Sequence, residues 1–152
     1  MSTTNADDTI VKEIVINATA ERVFDALTDP ARRVKWWGVP GKFQTTHMDS
    51  DLRPGGRWEM RGDGPGGAPF ALRGEYRAIE RPRILEFTWL HESPGQPALQ
   101  TVVRFDLAEA GGLTTVRLTH SGLATPQSRD YYQGWPWILS LLKGYAERQE
   151  SR

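Results

Sequence analysis

Apolar and polar residues alternate with a period of two along most of the chain, a pattern typical of β-strands. The first alternating segment is TIVKEIVINA, residues 9–18, which is rich in β-branched residues. From residue 42 to residue 121 the alternation continues through about six further segments, separated by turn sequences such as DLRPGG, DGPGGAP and AGG. The AGG sequence is a hairpin signal, because glycine accepts the positive φ that tight hairpins need. The pattern predicts an antiparallel sheet of about seven strands.

Two short segments between the first and second predicted strands have helical spacing instead. In TAERVFDALTD the apolar residues Val23, Phe24 and Leu27 follow Thr19, a suitable N-cap. In DPARRVKWW, Asp29 can cap the helix and Pro30 takes the first helical position, where its missing N–H has no cost. The sequence GVPG then ends this second helix. Of its two adjacent tryptophans, we expect one to pack inward and the other to lie at a dimer contact or a cavity rim.

The C-terminal segment, from about Thr125, carries an apolar stripe at three- and four-residue spacing. The stripe consists of Tyr131, Trp135, Ile138, Leu139, Leu142, Tyr145 and Ala146. A helix of about 22 residues is ~33 Å long, and seven strands at ~4.8 Å make a sheet roughly 30 Å wide. One terminal helix can therefore cross the whole concave face of a curved sheet.

Composition and charge narrow the class of protein. The 152 residues fit one domain over residues 10–150, and we expect the polar tail at residues 1–9 to be disordered. Lys plus Arg and Asp plus Glu are equal at 19 each, so no net charge attracts nucleic acid or an anionic membrane. The absence of cysteine excludes disulfides, thiolate metal sites and cysteine nucleophiles. No apolar run approaches 18 residues and the N-terminus has no signal sequence, which predicts a cytoplasmic protein.

Four segments, in this order, resemble the helix-grip fold of the START-like (SRPBCC) superfamily: VFDALTDPARRVKWWG, DLRPGGRWEMRG, GEYRAIERPRILEFTW and GWPWILSLLKGYAE. Within it the chain is similar to the family named for homology to an activator of the heat-shock protein 90 ATPase, over nearly all of residues 10–148. The resemblance implies an α+β fold in which a curved antiparallel sheet wraps around a long C-terminal helix. It also implies two short helices between the first two strands and a deep cavity between sheet and helix.

Pro136 allows two interpretations of the C-terminal helix. Either the main helix begins at Pro136 after a separate turn at residues 127–133, or one helix runs from Gln127 to Arg148 and bends at the proline. In the second case Pro136 removes the bond to the Tyr132 carbonyl. The resemblance favours the bent helix, because the Gly-Trp pair of the family usually lies within the long helix.

The candidate site consists of side chains that alternation and helical spacing place on the inner face. Its aromatic members form either a packed core or the lining of a pocket for an apolar or aromatic molecule, and both interpretations stay open. The predicted ligand-binding residues are His47, Trp58, Met60, Tyr76, Phe87, Trp89, His91, Phe105, His120, Tyr131, Trp135 and Leu139.

The three histidines of this set, His47, His91 and His120, lie on three different predicted strands. A buried imidazole among aromatic rings can bind a carbonyl or transfer a proton. The alternative is that His91 and His120 lie half-solvated at strand ends. No pair has metal-ligand spacing, DGPGGAP lacks the Gly-Lys-Ser/Thr of a phosphate loop, and no nucleophile elbow accompanies His120 and Ser121.

Three functions remain. The first is a small-molecule binding protein, without catalysis, cofactor or metal, that holds a hydrophobic or aromatic ligand between sheet and helix. The second is a cyclase or aromatase that orients a polyketide-like substrate, with His47, His91, His120 or Tyr76 as proton-transfer groups. The third is a protein-interaction module of the co-chaperone type. We expect a monomer or homodimer that binds neither nucleic acid nor membrane.

Overall fold

The structure is a computed structural model that describes residues 9–39, 42–92, 99–123 and 132–150. Its strands are β1 (Ile10–Ile16), β2 (Gly38–Val39), β3 (Phe43–Ser50), β4 (Arg57–Asp63), β5 (Pro69–Glu80), β6 (Ile84–Glu92), β7 (Leu99–Ala110) and β8 (Leu113–Ser121). Its helices are α1 (Ala20–Thr28), α2 (Pro30–Trp36) and α3 (Trp135–Glu150). Short 3₁₀ turns span Pro65–Gly67 and Tyr132–Gly134.

The strands form one antiparallel sheet in the order β1-β8-β7-β6-β5-β4-β3-β2. Each strand from β2 to β8 pairs with its neighbour in sequence, whereas β1 crosses over to pair with β8. Seven strands were predicted, and the eighth is the two-residue β2 at the sheet edge. It comes from the Gly38-Val39 segment, which the sequence assigned to the end of the second helix. The curled antiparallel sheet with the C-terminal helix is the helix-grip fold that was expected.

Both short helices begin as the sequence indicates. The Thr19 hydroxyl accepts a hydrogen bond from the Arg22 backbone N–H at 3.2 Å, and the Asp29 carboxylate accepts one from the Ala31 N–H at 3.0 Å. Pro30 occupies the first turn of α2. These bonds satisfy N–H groups that have no partner inside a helix. The inner face of α1 buries Val23, Phe24 and Leu27, as the spacing predicts.

The C-terminal α-helix begins at Trp135, directly after the 3₁₀ turn of Tyr132–Gly134. Pro136 therefore lies in the first turn of α3, where its missing N–H would have had no intrahelical acceptor. Within the described residues, a main helix that starts near Pro136 after a separate turn fits better than the preferred interpretation of one bent helix with Pro136 in its interior. The part of that predicted helix before residue 132 lies outside the described residues. The helix packs on β1, α1 and α2 with Leu139, Leu142 and Ala146 buried. Among the described residues, no helix is long and apolar enough to cross a membrane.

A β-bulge in β3 decides where His47 lies. The pairing of β3 with β4 shifts between Thr45 and His47, so Thr45 and Met48 are buried and His47 is not. The His47 ring is 46% exposed and its Nε2 lies 2.9 Å from the Asp49 carboxylate. Because one extra residue exchanges the two faces of a strand, the prediction that His47 points inward is wrong.

Gly74 on β5 marks a close approach between neighbouring strands. It pairs with Trp58 on β4, and a Cβ at this position would overlap the Thr88 carbonyl oxygen and lie 2.8 Å from the Trp58 indole nitrogen. A side chain here would displace both the β6 backbone and the indole ring.

We expect Gly74→Ala to lower the free energy of unfolding by about 2 kcal/mol, the usual cost of inserting a methyl group into a filled interior. Gly134→Ala is the matched control, because a Cβ at Gly134 meets nothing within 4 Å. The control should change stability by less than about 1 kcal/mol. Urea unfolding followed by circular dichroism measures both, and equal effects of the two variants would contradict the close approach.

Candidate ligand-binding site

The inner face of the sheet holds a set of aromatic rings in mutual contact, here called the ring cluster. Its members are Trp37, Trp58, Phe87, Trp89, Phe105, His120, Tyr132 and Trp135. Trp89 lies at the centre, with its ring centroid 5.6 Å from Trp58, 5.7 Å from Trp135 and 5.8 Å from Trp37. The planes are tilted or edge-to-face, the arrangement that aromatic quadrupoles favour. The rings therefore pack as one unit.

Strand alternation places most of the cluster. The inner face buries the predicted residues Trp58, Met60, Tyr76, Phe87, Trp89, Phe105 and His120, and α3 adds Trp135 and Leu139. Tyr131 lies outside the described residues. The backbone of His91 pairs with Leu72 and Leu99, but its side chain lies outside the described part of the chain. All residues of the predicted site except His47, Tyr131 and His91 are therefore located on the inner side.

Sequence reasoning missed several members of the interior. Both Trp36 and Trp37 are 5% exposed, so neither forms the predicted rim or dimer contact. The Trp36 indole N–H donates to the Ala26 carbonyl at 2.8 Å, which fixes it against α1. Thr101 shares strand parity with Val103 and Phe105, a signal that alternation offered. Nothing in the pattern distinguished Tyr132.

A chain of hydrogen bonds runs through the cluster at His120. The Trp135 indole N–H donates to His120 Nδ1 at 3.0 Å, and His120 Nε2 lies 2.6 Å from the Thr101 hydroxyl. Because an indole nitrogen only donates, Nδ1 is the acceptor and the proton of the neutral ring is on Nε2. The Thr101 hydroxyl then accepts from His120 and donates to the Trp89 carbonyl at 3.3 Å. Both ring nitrogens are thus occupied within the protein.

Burial sets the charge state of this imidazole. His120 is completely buried, so the prediction of a half-solvated ring at a strand end is wrong for this residue. Desolvation lowers the pKa of His120 to about 3, because burial removes the water that would stabilise a charged ring. His120 is a neutral link between β7, β8 and α3 at neutral pH.

Other polar groups on the inner side have different partners. The Tyr76 hydroxyl lies 2.6 Å from the Ser50 hydroxyl, and burial raises the pKa of Tyr76. The Trp89 indole N–H donates to the Tyr132 hydroxyl at 3.0 Å. The Trp58 indole N–H is buried and has no hydrogen-bond acceptor. Since more than nine in ten buried polar groups in proteins are paired, this donor is an exception with a cost.

Neither the surface depressions nor the side chains that could ligate a metal offer a second candidate site among the described residues. The described residues outline an open depression lined by β1, β7 and β8 and by the turn at Pro82, with charged residues such as Glu13, Arg83 and Arg117. It includes no member of the ring cluster. Within the described ranges, no group of three His, Asp or Glu side chains could hold a metal ion.

Several solved structures of other proteins share this fold. A protein from Chromobacterium violaceum is 24% identical, with a TM-score of 0.78 over 92% of this chain and 97% of that one. One from Mesorhizobium loti is 27% identical, with a TM-score of 0.73 over 92% and 97%. One from Arthrobacter aurescens is 17% identical, with a TM-score of 0.81 over 93% and 87%. No curated protein matches. Residues 17–147 match the family described as activator of Hsp90 ATPase homolog 1-like protein, and the chain belongs to that family.

Proposed function

We propose that the protein binds a hydrophobic or aromatic small molecule between the inner face of the sheet and α3. The observation that carries the proposal is the unpartnered Trp58 N–H on an inner face made of aromatic rings. A buried donor without an acceptor costs about 1–3 kcal/mol, and a ligand carbonyl or ring oxygen would remove that cost. Aromatic walls with a few hydrogen-bonding groups are typical of small-molecule sites.

A ligand has to displace rings to enter this site. Neighbouring centroids in the cluster are 4.5–6.4 Å apart, which leaves no room for another ring between them. Trp135 is the ring that α3 contributes, so a shift of the first turn of α3 is the simplest way to make space. Binding should then change the fluorescence of the buried tryptophans as well as the stability.

The enzyme alternative receives less support from the same geometry. Both nitrogens of His120 are held by Trp135 and Thr101, and the Tyr76 hydroxyl is held by Ser50. A proton-transfer group needs a free position toward its substrate. A ligand-binding protein of the cytoplasm, acting as a monomer or homodimer, is the function we put forward.

The first experiment is thermal unfolding against fatty acids, flavonoids, isoprenoids and polyketide-like aromatics, together with tryptophan fluorescence. A ligand at one hundred times its dissociation constant stabilises the protein by ~2.7 kcal/mol, which raises the midpoint by roughly 5–10 °C. Absence of any shift and of any fluorescence change across all four classes would contradict the proposal.

Trp58→Phe tests whether the unpartnered indole N–H binds the ligand, because the substitution keeps an aromatic ring and removes the N–H. We expect the free protein to keep its stability within about 1 kcal/mol, because removal of the unpartnered N–H offsets the packing that is lost with the smaller ring. A carbonyl-bearing ligand should bind roughly fivefold to tenfold more weakly. Trp137→Phe is the control, because Trp137 is 49% exposed on α3. If Trp58→Phe binds the ligand as tightly as the wild-type protein does, the Trp58 N–H makes no hydrogen bond to the ligand.

A further inference from the structure

Arg33 is a buried cation in a part of the fold made of aromatic rings. It lies on α2, one residue after Arg32, which is 39% exposed and bonded to Asp29. Arg33 itself is only 3% exposed. Its guanidinium carbon lies 4.5 Å from the ring centroid of Trp37, a member of the ring cluster. The adjacent arginines therefore point to opposite environments, and the second one brings a full charge into the interior.

The guanidinium is only partly satisfied. Nη1 donates to the Leu27 carbonyl at 2.7 Å, near the end of α1. Nε and Nη2 are buried and have no hydrogen-bond partner. These two nitrogens share one edge of the planar group, and their N–H bonds point the same way. That edge is the one on which arginine holds a carboxylate with two parallel hydrogen bonds.

No acid of the described chain compensates this charge. None of the ion pairs among the described residues includes Arg33. Its electrostatic neighbour is Tyr76, a hydroxyl bonded to Ser50, and not a carboxylate. Desolvation lowers the pKa of Arg33 to about 10, so the group stays charged at neutral pH. Charges buried in proteins are ordinarily paired, and a missing anion at this place calls for an external one.

We propose that Arg33 recognises a carboxylate head group on the bound molecule, through Nε and Nη2. This inference rests on the proposed function and names the class of ligand: an aromatic or aliphatic acid with its apolar part among the rings. The Trp37 ring centroid lies 4.5 Å from the guanidinium carbon and 5.8 Å from the ring centroids of both Trp89 and Trp135. The acid group and the apolar body of one molecule would therefore contact adjoining parts of the same interior.

The test compares three acids with their methyl esters: 2-naphthoic, 4-coumaric and dodecanoic acid. Dissociation constants are measured by titration calorimetry and by quenching of tryptophan fluorescence. For each pair that binds, the wild-type protein should hold the acid about 10–100-fold more tightly than the ester, the range expected for a bidentate charge-assisted contact. The ester lacks the charge but keeps the apolar body.

Arg33→Met should reduce this preference to less than about threefold by weakening the acid and leaving the ester unchanged. Arg32→Met is the control and should keep the full preference. Arg33→Lys keeps the charge without the planar fork, so it should show an intermediate preference. If Arg33→Met does not fold, the lysine variant and the wild-type acid–ester comparison decide the question.

The outcomes separate the two proposals. If neither member of any pair binds to the wild-type protein, the proposed function is overturned, and the inference with it. If acids and esters bind equally well, small-molecule binding stands and the role of Arg33 is overturned, with water as the remaining partner of its free edge. The same conclusion follows if Arg33→Met keeps the preference of the wild-type protein for acids.

Discussion

Replacing Trp89 by alanine should lower the free energy of unfolding by about 3–5 kcal/mol, the usual cost of deleting a buried aromatic side chain. Trp89 contacts more rings than any other member of the described cluster: Trp37, Trp58, Phe87, His120, Tyr132 and Trp135. Its indole N–H also bonds Tyr132. Removal leaves a cavity that strands on both sides cannot close without shifting their paired backbones.

Urea unfolding followed by circular dichroism measures this loss without depending on tryptophan fluorescence. For a chain of this length the midpoint of thermal unfolding should fall by roughly 10–15 °C. Trp137→Ala deletes the same side chain from an exposed position on α3 and should change stability by less than about 0.5 kcal/mol. A loss below 1 kcal/mol in Trp89→Ala would mean that the cluster is not packed as described.

The second large effect is a loss of stability in acid that depends on His120. The pKa of this ring is about 3 in the folded protein, against an ordinary value of 6.5. The unfolded chain therefore binds a proton at higher pH than the folded one. The stabilisation is fully present above pH 6.5 and is lost as the pH falls from 6.5 toward 3, by up to about 1.4 kcal/mol for each pH unit.

His120→Gln removes this titrating group, so the comparison isolates its contribution. At pH 7 the variant should be less stable than the wild-type protein, because it breaks the bonds to Trp135 and Thr101. The difference should shrink by about 3 kcal/mol between pH 7 and pH 4. Urea titrations at four pH values measure it, with the exposed His47→Gln as a control for stability at pH 7. A constant difference would show that His120 protonates normally in the folded state.

Much of the fold could be predicted because it rests on local patterns. Alternation located the long strands, and the caps at Thr19 and Asp29 located the two short helices. Spacing alone could not place Pro136, because a proline is compatible with a first turn or a bend, and the structure puts it in the first turn of α3. His47 was misplaced because a bulge depends on the pairing between strands and leaves no mark in the apolar pattern.

The candidate site was harder to predict in its polar part than in its apolar part. Parity identified Trp58, Phe87 and Trp89 as inward-facing. It could not show that His120 would have both nitrogens bonded, since Trp135 and Thr101 come from distant segments. Arg33 is the polar residue of the site that the sequence pattern was least able to predict. A charged residue on a short helix is ordinarily solvated, and only the tertiary packing of α2 reveals that this one is buried.

The pairing of β1 with β8 has a consequence for how the chain folds. Ile10 on β1 lies opposite His120 on β8, so the two paired strands are separated by about 110 residues of chain. On the ribosome, β1 must remain unpaired until nearly the whole sheet has been synthesised, and its outer face exposes Val11 and Val15. Closure of so long a loop is slow, and folding in milliseconds to seconds is expected for such non-local pairing. The polar neighbours Lys12 and Glu13 would limit self-association of this strand during that interval.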